Sequence, residues 1–199
     1  MKYNYSTIKN YICLYTQNDM NTLPIIANNR ITLRPLSLED TNALFSYFSQ
    51  NKVMIYYDLP TFSSPKEAED LINTWNLRRQ KGEGYRWGII LNEAQDNIVI
   101  GTCGFHNIST EHNKTEIGYE LHPTHWGKGL ATDACRLLVQ YGLQTMNFHR
   151  IEAFIDPEHE ASRKVLYKCG LETEGVLRDY FFEKGRFVDA EILSIIKYE

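Results

Sequence analysis

Gly127 and Gly129 stand one residue apart where a short β-permissive run, 116–121, gives way to a helical stripe. From Leu130 onward, Ala134, Leu137, Leu138 and Tyr141 recur at helical spacing. A helix start offers N–H groups without internal partners and the positive end of the helix dipole. With two side chains missing beside it, the backbone of Gly127, Lys128, Gly129, Leu130, Ala131 and Thr132 can close around a phosphate. The same two glycines also suit a plain turn, and a short motif does not by itself choose. Glu116 and Glu120 precede the turn on one face of the strand, because side chains four residues apart in a strand share a face. His122 and His125 flank the turn; they titrate near neutral pH and equally suit a solvated loop.

The chain that must position these residues has 199 residues, enough for one domain with a full core. Its net charge of −4 and its lack of a Lys/Arg run argue against nucleic acid as the main partner. Cys13, Cys103, Cys135 and Cys169 are widely spaced and form no C-x-x-C pair, which argues against a metal knuckle and fits a reducing cytoplasm. No run is apolar enough for a signal peptide or a membrane span. Residues 1–29 are polar, rich in Asn and Tyr, and read as an extension packing loosely on a domain of residues 30–199. Met20 is a candidate alternative start, which would make residues 1–19 dispensable for chemistry.

Within the domain, 31–34 alternates as a strand closed by Pro35. Ser37 and Asp40 cap a first helix that runs to about Gln50. Ser64, Pro65 and Glu67 form a capping box for a second, stopped by Gly82 and Gly84. Strands follow at 85–91, 98–108 and 114–121, then the glycine turn and a third helix. After these come a strand at 149–156, a helix at 160–168 ended by Gly170, and strands at 173–183 and 187–197. The fold class is mixed α/β: a central sheet of about seven strands, antiparallel at first, flanked by about four helices, with one strand–helix–strand crossover.

This order and several separate motifs resemble the GCN5-related N-acetyltransferase (GNAT) superfamily over residues 30–199. Trp126-x-x-Gly129-x-Ala131 is similar to the family's Q/R-x-x-G-x-G/A turn, with Trp in first place. The runs 117–123, 126–132 and 161–171, with Glu174-Gly175-Val176-Leu177-Arg178 and Val188-Asp189-Ala190, look like the subgroup of ribosomal-protein N-terminal acetyltransferases. The resemblance implies direct transfer of an acetyl group from acetyl-CoA to a primary amine in the cytoplasm, with no metal. The acceptor is a protein N-terminus, ribosomal or other, or a small amine such as a polyamine or antibiotic. A homodimer is one allowed assembly. It also implies that the strands at 114–121 and 149–156 splay to admit the pantetheine arm. The turn from Gly127 to Thr132 would then hold the pyrophosphate, and the Leu121 N–H would meet the thioester oxygen. Departures from the pattern keep a catalytically silent acyl-CoA-binding module as the alternative: His159 stands where the subgroup has Asn, and Tyr180 and Phe181 where some relatives carry a carboxylate.

An amine is mostly protonated at neutral pH, so a base must take its proton before attack. Glu120, next to Leu121, is the first candidate and Glu116 the second. His159 and Lys164 are expected at the cofactor, and Lys128, Arg136 and Arg163 are further cations near its phosphates. Tyr57, Tyr85 and Trp87 are expected to line the acceptor groove. Leu166 occupies the family's usual acid position, which leaves Ser162 to protonate the leaving thiolate. Tyr167 lies about 140° around the helix from Ser162 and is expected to point away.

Overall fold

The structure is a computed structural model and describes residues 12–14, 23–94 and 96–198. The expected mixed α/β architecture is present as one sheet in the order β1-β2-β3-β4-β5-β6-β7-β9-β8. The strands are β1 (Ile12–Leu14), β2 (Ile25–Ala27), β3 (Ile31–Pro35), β4 (Tyr85–Leu91), β5 (Gly101–Ser109), β6 (Lys114–Leu121), β7 (Arg150–Ile155), β8 (Glu172–Glu183) and β9 (Arg186–Ile196). The helices are α1 (Thr41–Phe48), α2 (Asn51–Met54), α3 (Pro65–Gln80), α4 (Leu130–Gln144) and α5 (Glu160–Lys168). Glu67 accepts the N–H groups of Ser63 and Ser64 at 2.7 and 2.8 Å, so the start of α3 is capped as its sequence predicts.

Two strands lie on the N-terminal side of residue 30. β2 pairs antiparallel with β3, and β1 with β2. Leu23 and Ile26 are buried in the main core, so this segment is part of the sheet rather than loosely packed against it. The short run Ile25–Ala27 carried too little alternation to signal a strand; its partner β3 supplies the ladder.

The two faces carry different helices. Ile31, Leu33, Trp87, Ile89, Phe105, Ile117 and Leu121 pack with Leu130, Ala134, Leu137 and Leu138 of α4. On the opposite face, Leu36 and Val99 pack with Leu44, Tyr47 and Phe48 of α1 and Ala68 and Ile72 of α3. Alternation along each strand assigns a side chain to one face or the other. In β6, Ile117, Tyr119 and Leu121 face α4, whereas Glu116, Gly118 and Glu120 face α1 and α3.

Among the described residues β6 and β7 form the one parallel pair, matched only at Lys114↔Arg150, Thr115↔Ile151 and Glu116↔Glu152. Beyond that register β6 runs on to Leu121 and β7 to Ile155 without pairing each other, so a wedge-shaped gap opens between them. Charge holds its closed end. Lys114 lies 3.0 Å from Glu152 and Arg150 lies 2.6 Å from the same carboxylate. Arg150 also grips Glu174 with two nitrogens, at 2.7 and 2.6 Å, and Ser194 donates to Glu174. The Arg150 and Ser194 bonds hold the Glu174 carboxyl down at about 2.

This pair generates a pH prediction with a definite sign. A carboxylate with a lowered folded-state pKa adds stability above its unfolded value of about 4.3, and that stability is lost as pH falls toward the folded value. Glu174→Gln is therefore expected to lower the urea midpoint at about pH 7, with the gap to the parent shrinking between about pH 4 and about pH 2. A gap that stays constant over that range would show that the carboxylate's charge is not what holds the wedge.

Candidate active site

His122 donates its backbone N–H to the Ile100 carbonyl at 2.7 Å, on the β5 side of β6. Successive N–H groups in a strand point in opposite directions. The N–H groups of Leu121 and Tyr119 therefore turn away from β5 and into the gap left by β7. Two donors on a strand edge facing empty space can polarise a carbonyl placed there. The Leu121 carbonyl faces the same side and accepts the Trp126 indole N–H at 2.8 Å. Trp126 thus ties the strand end to the glycine turn.

The turn has the backbone its residues demand. Gly127 and Gly129 have φ of +73° and +79°, a region that favours glycine. Gly129 caps α4, and the first ladder bond runs from the Asp133 N–H to the Gly129 carbonyl at 3.1 Å. The N–H groups of Leu130, Ala131 and Thr132 precede that bond and have no partner within the helix. Three unshared donors at a helix start meet the requirement of a pyrophosphate. The turn and gap belong to one cavity of about 1530 Å³ that passes through the sheet to the α1/α3 face.

On that face the first base candidate is occupied. Glu120 is 9% exposed and accepts from Arg86, from the Thr102 hydroxyl and, at 3.5 Å, from the Tyr47 hydroxyl. Arg86 also donates to Thr102 at 2.7 Å and to the Gly118 carbonyl at 3.2 Å, and its guanidinium lies 4.9 Å from the Trp75 ring centre. A carboxylate already holding three donors anchors the floor of the cavity instead of standing free for a proton. Glu116 lies on the same face, 3.3 Å from His106. Burial pushes its carboxyl up, but hydrogen bonds from His106 and Asn107 and the nearby charges outweigh this, and it ends below the usual range.

Tyr57 and Tyr85 line the cavity as expected. Trp87 does not. It faces α4, is fully buried among Phe105 and Tyr141, and donates its indole N–H to the Pro24 carbonyl at 2.9 Å. It is a core residue because it shares strand parity with Ile89. Across the opening lie Asp58, Asp156 and Glu183, close enough that Asp58 and Asp156 add to burial in raising the Glu183 carboxyl. Lys184 closes this side by donating to the carbonyls of Met54 and Ile55.

α5 supplies the remaining wall. Ser162 is buried, with its hydroxyl 2.9 Å from the Tyr119 phenol oxygen. Burial raises the Tyr119 phenol well above its ordinary value, so it stays protonated. Tyr167 points away and meets the Thr173 hydroxyl at 2.9 Å. His159 stacks on Tyr56 with centroids 4.2 Å apart, and burial lowers its imidazole. Lys164 is exposed and pairs with Glu160 at 3.2 Å on the cavity wall. Arg136 donates to the Lys168 carbonyl and Arg163 pairs with Glu191, so both are engaged within the protein. Lys128 stays exposed at the turn. His122 bonds Thr124, and burial lowers both His122 and His125. Sequence reasoning missed Arg86 and Tyr119. Tyr119 was within reach, since it shares parity with Leu121; Arg86 carried no local signal. Among the described residues no His/Cys/Asp/Glu group suited to a metal ion occurs, and no helix is long and apolar enough to cross a membrane.

Comparison with known proteins gives the family and the fold. The family profile of the acetyltransferase (GNAT) domain covers residues 30–172. The N-acetyltransferase p20 of Bacillus licheniformis is 41% identical over 170 residues, 85% of this chain and 94% of that one. The spermidine N(1)-acetyltransferase of Vibrio cholerae is 26% identical, over 85% of this chain and 95% of that one. The solved structure of the microcin C7 self-immunity acetyltransferase, in complex with acetyl-CoA and AMP, superposes with a TM-score of 0.76 at 22% identity. It covers 85% of this chain and 94% of that chain, a likeness of fold.

If the turn holds the pyrophosphate, acetyl-CoA at about 100 times its dissociation constant should stabilise the fold by roughly 2.7 kcal/mol. Gly129→Val forces a β-branched residue into positive φ and should abolish that gain in a thermal-shift assay. A variant that melts lower but still shows the full ligand shift would place the phosphate elsewhere.

Proposed function

This chain belongs to the GNAT acetyltransferase family and is an acetyl-CoA-dependent N-acetyltransferase, and we propose that its acceptor is the free amine of a protein N-terminus. One observation carries this reading: the cavity joins the glycine turn to a wide acidic opening through the gap between β6 and β7. The cofactor enters along α4 and α5. The acceptor enters between Tyr57 and the segment ending at Glu183, where Asp58, Asp156 and Glu183 favour a cationic ammonium. A cytoplasmic reaction is part of this proposal, supported by the free thiols of Cys103, Cys135 and Cys169, which suit a reducing compartment.

The ammonium loses its proton to solvent water in the cavity, because Glu120 is bound to Arg86 and Thr102 and Glu116 is paired with His106. The neutral nitrogen attacks the thioester carbon. A C–N bond forms while the carbonyl oxygen gains charge facing the N–H groups of Leu121 and Tyr119. The C–S bond then breaks: the proton still carried by the newly acylated nitrogen leaves to solvent, and the thiolate takes one from Ser162, whose hydroxyl is recharged from solvent through the Tyr119 phenol 2.9 Å away. A thiol of pKa near 8.5 requires only a weak acid.

A small polyamine is the second reading, supported by the three carboxylates at the opening and by the spermidine acetyltransferase among the relatives. A panel of N-terminal peptides, spermidine and simple amines, read by thiol release from acetyl-CoA, separates the two. The first reading expects kcat/KM for the best peptide to exceed that for spermidine at least tenfold. The reverse order selects the second, and acetyl-CoA binding without turnover across the panel selects a silent binding module.

The acid assignment makes its own forecast. Ser162→Ala should lower kcat about a hundredfold or more with little change in acetyl-CoA affinity, the usual scale for a lost general acid. Tyr167→Phe should stay within a few-fold of the parent, since its hydroxyl is spent on Thr173. The opposite ranking in steady-state kinetics would sink the assignment.

A further inference from the structure

Arg30 lies nearly one hundred residues before the glycine turn, yet its guanidinium is seated on that turn. One nitrogen donates to the Asp133 carboxylate at 2.7 Å and another to the Lys128 carbonyl at 2.8 Å. The first also lies 3.6 Å from where a Cβ on Gly129 would stand. The backbone beneath Arg30 is fixed. The Asn28 side chain accepts the N–H groups of Arg30 and Ile31 at 2.8 Å each. Asn92 donates its N–H to the Arg30 carbonyl at 3.0 Å and its side-chain amide to the Asn28 carbonyl at 2.7 Å. This side chain is therefore aimed from a rigid base.

The electrostatics of the turn explain what it is aimed at. Asp133 stands in the first turn of α4, and its carboxylate favours the helix start when nothing is bound. A pyrophosphate docking on the same helix start meets that negative charge and the negative end of the Lys128 carbonyl. Arg30 covers both. Its donor to the Lys128 carbonyl also holds that peptide in one orientation, which fixes the neighbouring Gly129 N–H.

We propose that Arg30 is the positioning residue of the pyrophosphate site: it neutralises Asp133 and pins the Lys128 carbonyl, so that the turn accepts the dianion of CoA. This rests on the reading that the turn binds CoA. Arg30 acts through the turn and touches no phosphate.

Calorimetric titration of the full chain with CoA and with 3′-dephospho-CoA tests it, using Arg30→Met, Arg30→Lys, Asp133→Asn and the Arg30→Met/Asp133→Asn pair. Arg30→Met should weaken CoA about tenfold, and 3′-dephospho-CoA by the same factor. Adding Asp133→Asn should restore most of the lost affinity, because the repelling charge is gone. Arg30→Lys, which keeps the charge but not the fork, should fall between parent and Arg30→Met. It also serves should the methionine variant fail to fold. Unchanged affinity in both Arg30 variants would overturn the proposal while leaving the site intact. So would a loss confined to CoA, which would mean direct contact with the 3′-phosphate, or a double variant as weak as the single. A parent that binds neither ligand would instead remove the reading of the turn itself.

Discussion

The parallel ladder between β6 and β7 stops after three residue pairs, and the functional architecture follows from that early stop. A strand edge in the middle of a sheet normally has its donors consumed by a neighbour. Here Tyr119 and Leu121 keep theirs, because β7 has swung away while β5 still holds the other side. The gap survives because each arm is pinned separately. β6 is paired with β5 along its length, and β7 with β9 from Arg150 to Ile155. The ion pairs of Lys114, Arg150, Glu152 and Glu174 set where the arms part.

The two faces divide the labour. On the α4 side the wall is apolar and ends in a helix start, which suits a long thiol carrier with a charged head. On the α1/α3 side the floor is the Arg86–Glu120 pair, closed over by Thr102 and Tyr47. Separating two such charges from water is costly, and the pair persists because its hydrogen bonds are satisfied; removing one partner of a buried pair costs about 3–5 kcal/mol. Rigidity is thus bought with an ionic floor. That explains why a carboxylate beside the reactive position belongs to the scaffold, while Glu116, nearer the closed end, keeps a looser partner in His106.

Much of this was legible in the sequence, and what was not fails for identifiable reasons. The helix at 65–80 was readable because Ser64, Pro65 and Glu67 are local signals, and Gly127 and Gly129 marked the turn because only backbone geometry requires them there. The direction of Tyr167 followed from helical periodicity alone. The engagement of Glu120 was not legible because its partner Arg86 is 34 residues away on a strand two positions across the sheet, a distance no local pattern spans. Trp87 was misjudged for want of strand phase: an aromatic on β4 belongs to the core or the cavity according to one step of register. β2 was invisible because three residues carry no period, and its pairing with β3 is settled by tertiary contact.

The order of strands carries one more consequence. β9, the last strand, does not lie at the rim of the sheet; it sits between β7 and β8. During synthesis β8 therefore emerges before β9, its one neighbour among the described residues, and the arm of the wedge formed by β7 has one flank bare until β9 arrives. Assembly of this half of the molecule is an insertion, not an extension, and it waits for β9. A nascent chain that already holds the glycine turn is still without the support that keeps the wedge open. Loss of β9 would act on the sheet as a missing plank acts on a floor, from the middle outward.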